Sequence, residues 1–307
     1  MTEGRSKLLY IAGSGRSGTT LLGAVLGQIR GFFSVGEVYR LWERAFIGDG
    51  LCGCGAPFRQ CETWVRIFDT AFGGMDVIDP HRMVQLRERF TQTKRLAGIL
   101  VRAGRPPAAN PDLEDYLTTL ERLYAAIGRV TGCEVIVDAS KWPTYAHLLQ
   151  QAPSVDLYVL HLVRDPRAVA FSWTRAKEYE PGKSLGQQGT VKTTAYWVAW
   201  NQAISLLWGR ERSKYIFLRY ESFVSRPRET LAQVVRFVGG AERELPFATS
   251  ASIEMRPTHA VAGNAERFAT GSIHLQVDDR WLREMPWLSR STVSLCTAPW
   301  RYRYCAP

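Results

Sequence analysis

A glycine-rich turn near the start of the sequence constrains the fold more than any other feature. The turn, Gly13 to Gly18, lies between an apolar strand-like run and a helix-like run that begins near Thr19. Glycines let the backbone turn sharply and point its N–H groups inward, and a helix start adds partial positive charge where an anion would bind. This order of elements predicts a phosphate-binding loop within an α/β fold.

The loop departs from the pattern G-x-x-x-x-G-K-[ST] of nucleoside triphosphatases. Counted from Gly13, the lysine position is occupied by Thr19, and Arg16 is the only cation inside the loop. An ordinary ATPase or kinase is therefore disfavoured. A kinase-like phosphotransferase that uses ATP and magnesium stays open as an alternative, with Thr20 and Asp138 as the pair that would hold the metal.

Apolar runs that alternate with helical segments extend the same architecture along the chain. Strands are predicted near residues 8–12, 32–35, 134–138, 156–163 and 214–220, with helices between them. Residues 156–163 are apolar almost without interruption, which is typical of a strand covered on both faces. The sequence therefore predicts a P-loop-like doubly wound parallel sheet flanked by helices, with ligands at the carboxyl ends of the strands.

The predicted sheet belongs to a single domain of residues 1–307. Helical apolar spacing between about 48 and 131 predicts a helical insertion or cap within that domain. The polar stretch from Tyr179 to Gly189 predicts a loop, and together with the cap it is expected to frame a pocket.

The formal charge of +10 suits an anionic ligand or a membrane surface. The basic residues are scattered and no nucleic-acid-binding signature occurs, so nucleic acid is not an expected partner. No run approaches the roughly 18 to 20 uncharged apolar residues that span a bilayer. We expect a cytoplasmic protein, with contact to a membrane surface left open and the oligomeric state undetermined.

Three of the six cysteines are clustered, at Cys52, Cys54 and Cys61. They supply three ligands, one fewer than a structural zinc site uses, unless a histidine or another cysteine joins them in the fold. We therefore expect reduced or locally bridged cysteines that shape a loop, with metal or redox function as the alternative.

With these motifs in order, the sequence resembles the sulfotransferases that use 3′-phosphoadenosine 5′-phosphosulfate (PAPS), particularly bacterial members related to tyrosylprotein and carbohydrate sulfotransferases. The resemblance extends over nearly the whole chain. The glycine-rich turn is similar to the family's 5′-phosphosulfate loop, in which Arg16 would contact the leaving phosphate and the sulfuryl oxygens. Val163-Arg164-Asp165-Pro166 with Ser172 is similar to the motif in which an arginine and a serine hold the 3′-phosphate.

Other segments would carry the catalytic groups of the family. Glu37 follows the second strand at the position of the family's glutamate base, and His259 is a competing base. Lys141 ends another strand and would stabilise the transferring sulfuryl group opposite Arg16. Ser272 is a weaker candidate for a serine near the bridging oxygen.

A C-terminal stretch, about residues 256–275, resembles the segment that closes over the nucleotide. Within it, Gly263-Asn264-Ala-Glu-Arg267-Phe268 would place Arg267 as a second cation at the 3′-phosphate. We call residues 256–275 the closing segment.

The resemblance implies in-line transfer of a sulfuryl group from PAPS to an acceptor hydroxyl, with release of adenosine 3′,5′-bisphosphate and no metal. The acceptor would be a small-molecule, glycan or lipid-linked hydroxyl, with a place in secondary metabolism. A non-catalytic nucleotide-binding module stays open as an alternative. The catalytic residues would be Glu37, Arg16 and Lys141, and the donor would be bound by Gly15, Arg16, Ser17, Gly18, Thr19, Thr20, Arg164, Ser172, Asn264 and Arg267.

Overall fold

A five-stranded parallel sheet forms the centre of the protein in a computed structural model, which describes residues 5–102, 109–239, 243–247 and 252–305. Residues 103–108 of the predicted insertion and the ends of the predicted 1–307 domain lie outside the described residues. In chain order the strands are β1 (Ser6–Ala12), β2 (Phe32–Gly36), β3 (Val135–Lys141), β4 (Val155–Val163), β5 (Lys177–Glu180), β6 (Lys183–Leu185), β7 (Tyr215–Arg219), β8 (Ser252–Met255) and β9 (Gly271–His274).

The central sheet has the strand order β2-β3-β1-β4-β7. All its neighbouring strands run parallel. Each of the five lies where the sequence predicts a strand, so the predicted doubly wound α/β fold is confirmed.

Helices cover the sheet and connect its strands. They are α1 (Thr19–Leu26), α2 (Glu62–Phe72), α3 (Pro80–Thr91), α4 (Leu96–Val101), α5 (Pro111–Thr131), α6 (Pro143–Leu149), α7 (Pro166–Trp173), α8 (Thr190–Trp208), α9 (Tyr220–Ser225), α10 (Pro227–Phe237), α11 (Trp281–Glu284), α12 (Trp287–Cys296) and α13 (Ala298–Cys305). Within the described part of the chain, no helix has the length and apolar character needed to cross a membrane.

The two faces of β1 pack into different cores, which explains why the strand is apolar throughout. Leu8 and Tyr10 join the core formed with α2 and α5, whereas Leu9 and Ile11 join the core formed with α1 and α10. Successive side chains of a strand point to opposite faces, so a sheet covered on both sides needs apolar residues at every position.

The segment between β2 and β3 contains α2, α3, α4 and α5, in the region for which the sequence predicts helices. α2 and α5 pack against each other, and their buried aromatic residues contribute to the core beneath the sheet. A π-helix of seven residues, Leu41–Ile47, leads from the end of β2 towards this cap.

The stretch predicted as a loop at 179–189 is partly a hairpin. β5 and β6 pair antiparallel there, with Lys177 opposite Leu185. Both strands are short and polar, so they lack the apolar alternation from which a strand is predicted. The hairpin is held to the rest of the protein by side-chain contacts that depend on the tertiary fold.

Candidate active site

A cleft of about 240 Å³ lies where β1, β2 and β3 end. The glycine-rich turn Gly13 to Gly18, which we call the phosphate loop, forms one side of the cleft. The residues after β2 and β3 form its floor, and residues of α7 and α8 complete its lining. Among the predicted site residues, the cleft is lined by Gly15, Arg16, Gly18, Thr19, Glu37, Lys141 and Asn264. The topology therefore brings into one cleft residues that are distant in sequence.

The glycines of the phosphate loop are required by backbone geometry. Gly18 precedes α1 with a φ of 88°, and a Cβ there would lie 2.4 Å from the ring of Tyr220. No side chain caps the start of α1, so its first N–H groups are free to bind an anion in the cleft. Ser17 is buried and its hydroxyl lies 2.8 Å from that of Ser14, which stabilises the loop from behind.

Arg16 is a buried cation without a protein acceptor. Its side chain lines the cleft, yet none of its three guanidinium nitrogens makes a hydrogen bond to any residue that the structure describes. The guanidinium lies 4.7 Å from the ring centroid of Trp173, whose ring also packs against Gly15. Burial lowers the pKa of Arg16. A buried, unpaired guanidinium is costly unless an anion completes its hydrogen bonds.

Glu37 and Lys141 form a buried ion pair on the floor of the cleft, with Lys141 Nζ 2.5 Å from Glu37 Oε1. Burial favours the neutral carboxyl of Glu37. The charge and hydrogen bond of Lys141, together with the charges of Arg44 and Arg40, outweigh burial and lower the pKa of Glu37 below its ordinary value. Burial also lowers the pKa of Lys141, against the opposing attraction of Glu37. The pair places a carboxylate and an ammonium side by side next to Arg16.

Backbone contacts hold Glu37 in position. Its N–H donates to the carbonyl of Val261 at 2.8 Å, and the N–H of Val261 donates to Val35 at 2.9 Å. Gly36 makes this approach possible, because a Cβ there would lie 2.2 Å from the Val261 carbonyl oxygen. The closing segment thus fixes the backbone beside the carboxylate.

A hydrogen-bonded network beneath the cleft orders the ends of β2 and β3. Asp138 accepts from the N–H and hydroxyl of Ser140, and Tyr124 donates to its other oxygen at 2.6 Å. Ser140 in turn accepts from the N–H of Tyr39 at 3.0 Å. Burial raises the pKa of Asp138 to about 6 despite these donors.

Arg164 and Ser172 lie beside the phosphate loop, after β4 and on α7. Arg164 is buried, its guanidinium lies over the ring of Tyr220 at 4.7 Å, and it makes only long hydrogen bonds, to Arg16 O at 3.3 Å and to Asp278 at 3.5 Å. Ser172 is buried as well. Asp165 caps α7 by accepting from the N–H of Arg167, which explains how the helix begins directly after the strand.

Arg267 lies in a different environment from the one that the sequence predicts for a phosphate ligand. Its side chain is fully buried and donates to Glu180 at 2.8 Å and to Tyr179 O at 2.6 Å, with longer bonds to Gly263 and Asn264 carbonyls. These contacts join the closing segment to the β5–β6 hairpin. The arrangement favours a structural role over contact with a 3′-phosphate, because the protein already supplies acceptors for both terminal guanidinium nitrogens, although not for Nε.

A model of the sulfotransferase family matches residues 9–243. The chain belongs to the sulfotransferase family. This sulfotransferase shares the fold of a sulfotransferase domain from the curacin biosynthetic pathway, with 18% identity, 97% of this chain and 99% of that chain covered, and a TM-score of 0.53. A sulfotransferase domain from the olefin synthase of Synechococcus PCC 7002 matches with 17% identity, 96% and 95% coverage, and a TM-score of 0.49. No curated protein sequence matches the chain.

The remaining predicted site residues of this sulfotransferase do not line the cleft. His259 lies beside the clustered cysteines, 3.3 Å from Cys61 Sγ, and Ser272 is exposed on β9. Thr20 faces a small cavity that it shares with Glu37 and Gly263. Neither His259 nor Ser272 lines the cleft, whereas Glu37 does.

Sequence reasoning missed several residues that shape the cleft. Trp173 supports Arg16 from α7, and its only signal in the sequence is its place directly after Ser172. The cleft also contains aromatic side chains from α8 and from the residue after β3, and cations from the residue before the π-helix and from the π-helix itself. These residues are Trp142, Tyr196, Trp200, Arg40 and Arg44.

Proposed function

We propose that this sulfotransferase moves a sulfuryl group from PAPS to an acceptor hydroxyl, with Glu37 as the general base. The observation that carries the proposal is the unpaired guanidinium of Arg16, buried in a cleft beside the Glu37–Lys141 ion pair. An anion in the cleft would supply the acceptors that Arg16 lacks, and it would lie next to the group that can take a proton.

Two arginines bind the two phosphate-bearing ends of the donor. Arg16 and the free N–H groups at the start of α1 bind the 5′-phosphosulfate, together with Gly15, Gly18 and Thr19. Arg164 and Ser172 bind the 3′-phosphate, and the long hydrogen bonds of Arg164 are consistent with a cation that exchanges weak partners for a dianion. Asn264 lines the same cleft from the closing segment and contacts the bound donor.

In the reaction, the acceptor oxygen forms a bond to sulfur while the bond from sulfur to the 5′-phosphate oxygen breaks. Glu37 accepts the hydroxyl proton, and Arg16 and Lys141 stabilise the charge on the bridging oxygen and the sulfuryl oxygens. The lowered pKa of Glu37 keeps it ionised at neutral pH, as a base must be. Adenosine 3′,5′-bisphosphate leaves.

The aromatic and cationic residues of the cleft suggest the kind of acceptor. Trp142, Tyr196 and Trp200 present ring surfaces, and Arg40 and Arg44 add positive charge at the same side of the cleft. Rings suit the faces of sugars and aromatic groups, and cations suit an acidic substituent. A small-molecule, glycan or lipid-linked hydroxyl with a flat apolar part fits this lining.

The environment of Asp138 argues against the kinase-like alternative. Both carboxyl oxygens accept hydrogen bonds inside the protein, and burial raises the pKa of Asp138 to about 6. A magnesium-binding aspartate needs an ionised carboxylate that faces the phosphates. Asp138 does not line the cleft.

Donor binding is tested by thermal unfolding with adenosine 3′,5′-bisphosphate in one arm and ATP with magnesium in the other. We expect the bisphosphate alone to raise the Tm, because a ligand that binds the native state stabilises it by mass action. Arg164→Ala should abolish most of this shift. A Tm increase only with ATP and magnesium would overturn the proposal.

The base is tested by Glu37→Gln, which keeps the shape of the side chain but cannot accept the proton. We expect kcat to fall by roughly 10²- to 10⁴-fold, with bisphosphate affinity retained. Glu121→Gln is the matched control, since this partly buried carboxylate accepts from Ser154 and does not line the cleft. Unchanged kcat in Glu37→Gln would exclude a role as base and favour a non-catalytic module or another base.

A further inference from the structure

The clustered cysteines and His259 converge at one point of the fold. Cys52, Cys54 and Cys61 come from the start of the cap, and His259 comes from the closing segment about 200 residues later. One potential ligand atom from each lies within 4.8 Å of the other three. The structure therefore supplies the fourth ligand that the cysteine spacing lacks.

The distances fit a tetrahedron around a single metal ion. Zinc bonds of about 2.3 Å to sulfur and about 2.0 Å to nitrogen place two sulfurs about 3.8 Å apart, and a sulfur and a nitrogen about 3.5 Å apart. Cys54 Sγ and Cys61 Sγ are 3.8 Å apart. His259 Nδ1 lies 3.3 Å from Cys61 Sγ and 3.7 Å from Cys52 Sγ.

The surroundings orient the histidine as a metal ligand. Nδ1 faces the sulfurs, while Nε2 lies 3.2 Å from the hydroxyl of Thr63, which can accept its proton. The backbone carbonyl of His259 accepts from the indole N–H of Trp64 at 2.8 Å, and the imidazole stacks on Phe33. Metal-binding histidines are held in this way, with the second ring nitrogen hydrogen-bonded to a neighbour.

We propose that Cys52, Cys54, Cys61 and His259 bind a structural zinc ion. Three thiolates with one imidazole in tetrahedral geometry are a typical donor set for zinc, and four protein ligands leave no position for substrate. This revises the expectation from sequence that no metal is bound. The proposal does not depend on the identity of the sulfuryl donor.

The ion would connect the cap to the floor of the active site. Gly53, between two of the ligands, donates its N–H to the carbonyl of Ala260 at 2.9 Å, and Val261 then pairs with β2 and the backbone of Glu37. The fourth ligand is thus two residues from the residue that positions the base. Metal binding would fasten the closing segment onto the cap.

Metal content tests the proposal directly. Protein purified without chelator should contain close to one zinc per chain by inductively coupled plasma mass spectrometry. Cys61→Ser and His259→Ala should lose most of it, whereas Cys296→Ser and His81→Ala, both at exposed positions outside the cluster, should keep it. Zinc well below stoichiometric in the wild type, after expression with added zinc, would overturn the proposal.

Cobalt substitution keeps the test valid if a variant fails to fold, because it uses the wild-type chain. Exchange of the ion for Co²⁺ should produce thiolate-to-cobalt charge-transfer absorption and the intense visible bands of tetrahedral cobalt, and removal of the ion should lower the Tm. The absence of thiolate-to-cobalt absorption, or a Cys54–Cys61 disulfide found by mass spectrometry of the native protein, would contradict the site.

Discussion

The phosphate loop and the closing segment each bury an arginine, and the two are surrounded in opposite ways. In the described part of the chain, the Arg16 guanidinium has no hydrogen-bond acceptor and packs on the ring of Trp173. Arg267 is ion-paired with Glu180 and also bonded to backbone carbonyls. A buried cation that the protein satisfies holds structure together, whereas one left unsatisfied costs stability until a ligand binds.

The largest expected effect is on stability, from Arg267→Met. The change leaves the buried carboxylate of Glu180 with the half-exposed Lys183 as its cationic partner. The free energy of unfolding in urea should therefore fall by about 3 kcal/mol, the lower end for breaking a buried ion pair. Adding Glu180→Gln should recover part of the loss. Arg59→Met, which removes an exposed pair with Asp76, should cost less than about 1 kcal/mol. If Arg267→Met costs no more than this control, the contrast between the two arginines does not hold.

Arg16→Met should produce the reverse pattern. Without ligand, the free energy of unfolding should be unchanged or higher, because an unpaired buried charge is removed. Affinity for adenosine 3′,5′-bisphosphate, measured by calorimetry, should fall by roughly 10²- to 10³-fold, as expected for loss of a buried charged donor. Arg175→Met, a nearby and partly exposed cation, should change affinity by less than about tenfold. Large destabilisation with intact affinity would make Arg16 structural.

Asp138 is intermediate between the two arginines. Its buried carboxyl has hydrogen-bond donors from the protein, as Arg267 has acceptors, but burial still raises its pKa to about 6. A carboxyl with a raised native pKa stabilises the fold when protonated, and this contribution is lost as the pH rises through 4 to 6. Relative to Asp138→Asn, the wild type should therefore lose about 2 kcal/mol of stability between pH 4 and 7. Urea unfolding of both proteins across this pH range measures the change. A difference in unfolding free energy that stays constant with pH would contradict the prediction.

The smallest effect concerns the ring that supports Arg16. Trp173→Leu removes the cation–π contact and should weaken bisphosphate binding by about 1 kcal/mol. Trp173→Phe keeps an aromatic face and should bind more tightly than Trp173→Leu. Equal affinity of the two variants would show that Trp173 acts by filling space.

Local signals were enough to predict the sheet and the phosphate loop. β1 and β4 are buried on both faces, and the glycines from Gly13 to Gly18 lie together in sequence, so both patterns are visible without the fold. The positions of Arg164 and Asp165 at the end of β4 follow from the same local pattern.

The partners of the site residues could not be predicted in the same way. Lys141 approaches Glu37 because β2 and β3 are neighbours in the sheet, and Arg267 finds Glu180 through packing of the closing segment on a polar hairpin. His259 joins Cys61 across 198 residues. Such pairs depend on tertiary contacts, for which spacing in one sequence carries no signal. The family resemblance, and not spacing, was the source of the roles predicted for Glu37 and Lys141, which stay predictions. It also predicted a 3′-phosphate contact for Arg267, whose side chain the structure pairs with Glu180.

The central position of β1 has a consequence for how the chain folds during synthesis. Both sheet partners of β1 come later in the chain, and about 120 residues separate β1 from β3. At about 5–20 residues per second, translation of those residues leaves this apolar strand without its β3 partner for roughly 6 to 24 seconds. An apolar strand that stays unpaired for this time is a natural substrate for chaperones, and folding of the sheet is limited by the arrival of its later strands.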